Sequence, residues 1–119
     1  MVAVGLDLMA TCCDFAGVAA PPHCLGVSLR EAAEGGPSHP PTRSHVYGEN
    51  GGEWGRSDML VTERWKLVQY DGGADAEQLF DLKEDPGETH NHVGGNELVL
   101  AELREALDME RAAHTALVL

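Results

Sequence analysis

The chain has 119 residues, 43% of them hydrophobic, 24% charged and only 5% aromatic, a globular composition sufficient for one small domain or part of a larger one. Eight Lys and Arg against twenty Asp and Glu give a net charge of −12, which excludes nucleic acid and anionic membrane surfaces as partners, since both require clustered cations. No apolar run approaches the roughly 20 residues of a membrane span, and the first residues lack the basic start and long apolar stretch of a secretory signal, so the cytoplasm is the default expectation.

Asp7 to Gly17 reads as a short helix: Leu8, Cys12 and Phe15 recur at helical spacing, Asp7 is placed to cap orphan amides, and Gly17 suits a left-handed stop. With that face turned inward, Cys12 is a small core residue. Pro21 and Pro22 force extended chain. Ser28 to Glu31 has the pattern of a capping box, opening one more short helix that Gly35 and Gly36 end. Residues 35–44, with three prolines, form the linker.

The character of the chain then changes. His45 to Glu49 is expected as a short strand and Asn50 to Gly55 as a glycine-rich loop. Met59–Thr62 and Trp65–Tyr70 read as strands joined tightly at Glu63 and Arg64, and Gln78–Leu82 as another. Asp71-Gly72-Gly73 and Asp85-Pro86-Gly87 are turn signals. A last helix starts after Asn96 and runs to the end, with Leu100, Leu103, Leu107, His114 and Leu117 on one face and Glu102, Arg104 and Glu105 elsewhere. Such a stripe must be buried, and the antiparallel strands are its partner. The fold class is therefore α+β: a small antiparallel β-sheet packed by a long C-terminal helix, preceded by a short helical segment. The acidic excess is concentrated here, with fourteen acids and five bases in residues 58–119, and reads as a solvated surface.

Little chemistry assembles. His90-Asn91-His92 invites a metal pair or a nuclease motif, but it lacks a nearby third ligand and reads better as polar loop after a turn. Cys12, Cys13 and Cys24 make no disulfide framework, and with His23 they match no common zinc spacing. Asp81 and Asp85 have no EF-hand spacing and read as a solvated turn. His114, on the apolar helix face, reads as a packed histidine rather than a base. No phosphate loop, dinucleotide glycine pattern or serine elbow occurs, and no nucleophile, base and orienter come together.

In order, however, the pieces resemble a known family. Val4-Gly-Leu-Asp-Leu-Met-Ala-Thr11, then Ala16-Gly17-Val18, a proline at 21 or 22, and Gly26-Val-Ser-Leu29 resemble a stretch of the type I sulfatases. Arg64-Trp-Lys-Leu-Val-Gln-Tyr70 is similar to a strand of that family, and Gln78 to Asn91 (QLFDLKEDPGETHN) resembles one of its signatures closely. Ala10 stands where the family prefers proline, Cys12 and Cys13 where it prefers aliphatics, and His92 where leucine is common.

The resemblance implies that residues 1–34 are the tail end of an α/β catalytic domain and 45–119 a C-terminal subdomain, joined by the linker 35–44. It also implies that the family's catalytic machinery lies upstream, so this chain is expected to be a fragment of a sulfuric ester hydrolase, inactive alone. The formylglycine of sulfatases forms in a C-x-P-x-R type motif; here Ala16, Gly17 and Ser28 stand four residues after the three cysteines. No catalytic residue, metal ligand or cofactor is expected in this chain, because the family's formylglycine and calcium ligands lie upstream. The implied partner is a sulfatase catalytic domain, and an uncovered first helix is expected to allow self-association. A loop from His45 to Arg56 is the expected rim of the substrate pocket, with His45, Glu49, Asn50, Trp54 and Arg56 able to bond or stack against a sugar or aryl group. The alternative is a stand-alone, non-enzymatic interaction module.

Overall fold

The computed structural model, which describes residues 1–36, 43–52 and 55–118, divides the chain into two units, Met1–Ser44 and His45–Leu119. Trp54 and most of the linker lie outside the described residues.

In the first unit α1 (Val4–Ala16) starts earlier than its sequence pattern predicts and ends at Gly17. Gly17 takes φ 69° and ψ 26°, and its N–H bonds the Asp14 carbonyl while that of Val18 bonds the Cys13 carbonyl; this is the left-handed stop that glycine adopts without penalty. Asp7 does satisfy an orphan amide, accepting the N–H of Ala3 at 2.8 Å, but from within the first turn. The reading of Cys12 as a small core residue is corrected: Cys12 is exposed, and Leu8 and Phe15 beside it are 59% and 53% exposed. The buried stripe is instead Asp7 and Ala10 of α1 with Ala3, the residue that precedes the helix. Spacing identifies a continuous apolar face, but only a covering element makes it a core.

The segment after Pro22 folds back along α1. An added Cβ on Gly26 would stand 2.0 Å from the Leu6 carbonyl oxygen, so only glycine permits this approach. The neighbouring amides of Val27 and Leu29 then donate to Asp7 Oδ1 at 2.9 Å and Thr11 Oγ1 at 3.0 Å. The second helix, α2 (Arg30–Ala33), is a single turn, with the Arg30 N–H donating to Ser28 Oγ at 3.2 Å.

In the second unit four strands, β1 (His45–Gly52), β2 (Gly55–Thr62), β3 (Trp65–Tyr70) and β4 (Glu77–Asp81), form an antiparallel sheet in the order β1-β2-β3-β4. The long helix α3 (Glu97–Val118) packs on it. This is the α+β arrangement that the sequence pattern predicts. The glycine-rich stretch departs from expectation: Asn50, Gly51 and Gly52 continue β1 and pair with Ser57, Arg56 and Gly55. Glycine is a poor strand former, but a paired neighbour overrides a weak propensity.

The core explains the register. Leu60, Leu67 and Leu79 lie opposite one another across three strands, each fully buried, and receive Leu100, Leu103 and Leu107 of α3. Adding Tyr47, the cross-strand neighbour of Leu60, extends the row to β1. Asn91 closes the outer edge of β4, with Oδ1 accepting the Leu79 N–H at 3.0 Å and Nδ2 donating to the Glu77 carbonyl at 3.1 Å. Among the described residues, no helix is long and apolar enough to cross a membrane.

Candidate functional site

The residues singled out between His45 and Arg56 are carried by paired strands, so strand alternation decides which of them meet. His45, Tyr47 and Glu49 share the α3 side of the sheet with Arg56 and Asp58 of β2, whereas Asn50 projects from the other side. On the α3 side the polar groups form one network. Asp58, 3% exposed, accepts from Tyr47 Oη at 3.1 Å, Arg56 Nε at 3.2 Å and Arg111 Nε of α3 at 2.6 Å. Glu49 accepts from Arg56 at 3.1 Å and, 3.0 Å from Tyr47 Oη, competes with Asp58 for its one hydroxyl proton. His45 Nε2 lies 3.0 Å from Glu110 Oε1 of α3.

Electrostatics follow from this geometry. Burial opposes ionisation of Asp58, yet the hydrogen bonds from Arg111, Tyr47 and Arg56 outweigh it and hold the carboxyl below its ordinary range. Burial first, then the neighbouring Glu49 and Asp58, push the Tyr47 phenol up to about 12, with Arg56 opposing. Tyr47 is thus a neutral donor at ordinary pH. Its ring also packs 4.8 Å from that of His114, a packed histidine as its position on the helix face suggests.

The network is saturated. Arg56 is engaged by two carboxylates, and Asp58 by two arginines. It joins the helix to the hairpin rather than presenting a nucleophile or base. Tyr47, Asp58 and Arg111 were not singled out from sequence. The alternation at positions 45, 47 and 49 is the signal that could have found Tyr47; Arg111 is reached only through the tertiary fold.

On the opposite face, Asn50, Ser57 and Tyr70 lie in one cross-strand row and line two adjoining hollows of 330 and 290 Å³. The segment His90-Asn91-His92 performs a structural task at the edge of β4, where the His92 N–H also donates to the Leu79 carbonyl at 2.8 Å.

Residues 1–113 match the family described as N-sulphoglucosamine sulphohydrolase, C-terminal. The chain belongs to this family of sulfatase C-terminal regions. It is 36% identical over 108 residues to the Delta 4,5-hexuronate-2-O-sulfatase of Bacteroides thetaiotaomicron, which covers 87% of this chain and 22% of that protein. With an arylsulfatase of Clostridium perfringens it shares 31% identity over 91 residues, or 76% of this chain and 18% of the relative. A solved 2-O GAG sulfatase superposes with a TM-score of 0.78 at 32% identity, over 91% of this chain and 24% of the other. The chain thus spans about a fifth of the length of these relatives and corresponds to their C-terminal part.

The buried carboxylates of the described chain do not form a free donor set for a calcium ion. Asp7, Asp58 and Asp81 are each neutralised by arginine: Arg43, Arg56 with Arg111, and Arg64. Among the described residues no group of three or more His, Cys, Asp or Glu is placed to hold a metal ion. No arginine follows a cysteine at the spacing a formylglycine motif needs.

Proposed function

We propose that this chain serves as the structural C-terminal part of a sulfuric ester hydrolase, completing a catalytic part that supplies the nucleophile and the metal. The observation that carries this reading is the distribution of exposed apolar side chains. Leu8, Met9, Phe15, Val18, Leu25 and Val27 are all between 47% and 59% exposed, and all belong to the first unit. A contiguous segment this rich in uncovered apolar surface marks a protein interface, and a sulfatase catalytic part is the occupant that the family membership supports. The names of the relatives, a hexuronate sulfatase and a GAG sulfatase, support a sulfated sugar as the substrate of the assembled enzyme.

In this role the chain contributes no bond-making group. Sulfate ester cleavage needs an activated nucleophile, compensation of developing charge and fixed donors around the sulfuryl oxygens, whereas the buried carboxylates of the described chain are each held by arginine. The β1–β2 hairpin is the element we assign to the rim of the pocket, with the Tyr47–Asp58–Arg111 network holding it to α3.

The test is complementation. The purified chain is assayed on 4-nitrophenyl sulfate alone, and then with the catalytic part of the Bacteroides thetaiotaomicron relative shortened by its matching C-terminal region. No turnover alone and recovered turnover in the mixture are expected. Turnover by the chain alone, or failure of the two parts to associate, would overturn the proposal.

A further inference from the structure

Two polar rows cross the sheet one residue apart on opposite faces, one over all four strands and one over β1 to β3. On the α3 side, Glu49, Asp58, Gln69 and Glu77 are all engaged: the first two with Arg56, Gln69 Nε2 with Glu77 Oε1 at 2.7 Å, and Glu77 with Arg104. On the far side, no hydrogen bond from elsewhere in the described chain ties the side chains of Asn50, Ser57 or Tyr70. Tyr70 is 43% exposed, while Met59 and the buried Val68 form an apolar floor beside the row.

The cations around these hollows are already paired. Lys66 pairs with Glu88 at 2.5 Å, and Arg56 pairs with Glu49 and Asp58. Asp71 adds a negative charge to the lining. A sulfate group therefore finds no unpaired cation there among the described residues. A ring with an apolar face and hydroxyls at its edge finds a half-exposed aromatic surface, an amide with donors and acceptors, and a hydroxyl.

We infer that the Asn50–Ser57–Tyr70 row is a subsite for the uncharged face of a sugar ring, separate in chemistry from recognition of the sulfate itself. The sugar class rests on the proposed function; the binding is read directly on this chain. Tyr70 stacks on the ring, and Asn50 and Ser57 bond its hydroxyls.

The experiment titrates the full chain, labelled with ¹⁵N, with a neutral N-acetylglucosamine tetramer and with the same tetramer carrying 6-O-sulfates. Amide shifts centred on Asn50, Ser57 and Tyr70 are expected with both. Affinity for the neutral tetramer should change by less than about threefold between roughly 50 and 200 mM salt, since no counterion release is involved. Tyr70→Ala should weaken binding at least about tenfold and Tyr70→Phe, which keeps the ring, less than about threefold. An unmoved row at millimolar neutral sugar would overturn the inference and leave a merely solvated face. Shifts confined to the sulfated tetramer and lost at the higher salt would overturn it as well. Failed complementation with intact sugar binding retires the enzyme reading alone; successful complementation with a silent row retires only the subsite.

Discussion

Arg43 and Asp7, 36 residues apart, meet through two guanidinium–carboxylate hydrogen bonds of 2.7 Å each. Asp7 is fully buried, and its two oxygens also accept the N–H groups of Val27 and Ala3. One carboxylate thus ties together the start of α1, the segment that folds back on it, and the last described stretch of the first unit. Removing one partner of such a pair strands the other charge. Arg43→Ala is therefore expected to destabilise the first unit by about 3–5 kcal/mol, measured by urea unfolding with a probe in that unit. Arg43→Lys keeps the charge but loses the two-pronged geometry and should fall between.

The same pair sets a pH dependence. The hydrogen bond from Arg43 is the largest cause holding the Asp7 carboxyl far below its ordinary value of 3.8; burial opposes this, and the amides of Val27 and Ala3 add to it. Because the folded value is the lower one, the stabilisation is fully present above the unfolded value and is lost as pH falls through the folded one. Stability of the first unit is expected to decline from about pH 4 downward, and Asp7→Asn should flatten that decline while lowering stability at neutral pH. An unchanged acid limb in Asp7→Asn would show that other carboxylates govern it.

Leu67 lies at the centre of the sheet, fully buried between Leu60 and Leu79. Leu67→Ala is expected to cost about 2–5 kcal/mol. Leu98, on α3 but 83% exposed, is the matched control, and Leu98→Ala should stay within about 0.5 kcal/mol. Equal effects at the two positions, read by thermal and denaturant unfolding, would contradict the packing of α3 on the sheet.

Much of the second unit is legible in sequence because its signals are local. Trp65–Tyr70 is bounded by its own turns, and Leu100, Leu103 and Leu107 repeat at the helical period and are all buried. What escapes is whatever depends on a partner in space. Asn50 to Gly52 read as loop because glycine weakens a strand, and only pairing with Gly55 to Ser57 reveals the longer hairpin. Cys12 reads as a small core residue because periodicity does not say which face is covered. The Tyr47–Asp58–Arg111 network and the Asp7–Arg43 pair join residues 11 to 53 positions apart, distances over which a single sequence carries no pairing signal.

Asn91 was the central letter of an apparent motif, and its amide instead closes the edge of β4. Asn91→Ala removes these bonds and a third, from the Val93 N–H to Oδ1 at 3.2 Å, at an exposed position, so a loss of about 1 kcal/mol is expected. The more specific readout is hydrogen exchange: the Leu79 amide, which donates to Asn91 Oδ1, should lose protection, while that of Leu67 in the sheet centre should not. Uniform loss across the sheet would indicate global destabilisation rather than an opened edge.

The uncovered surface of the first unit gives the last expectation. Leu8 and Met9 are 59% and 55% exposed on α1, and neither belongs to the core cluster of the second unit. Replacing both with glutamine, a good helix former, removes apolar area from water contact without opening a cavity. Unfolding of the second unit should shift by less than about 0.5 kcal/mol, while binding of a hydrophobic dye and concentration-dependent self-association should both fall. If the catalytic part is the true occupant, the double variant should also associate with it more weakly. Dye binding that persists unchanged would place the sticky surface elsewhere, on Phe15 or the Val18–Val27 segment, and the same pair of measurements on Val18→Gln with Leu25→Gln would then locate it.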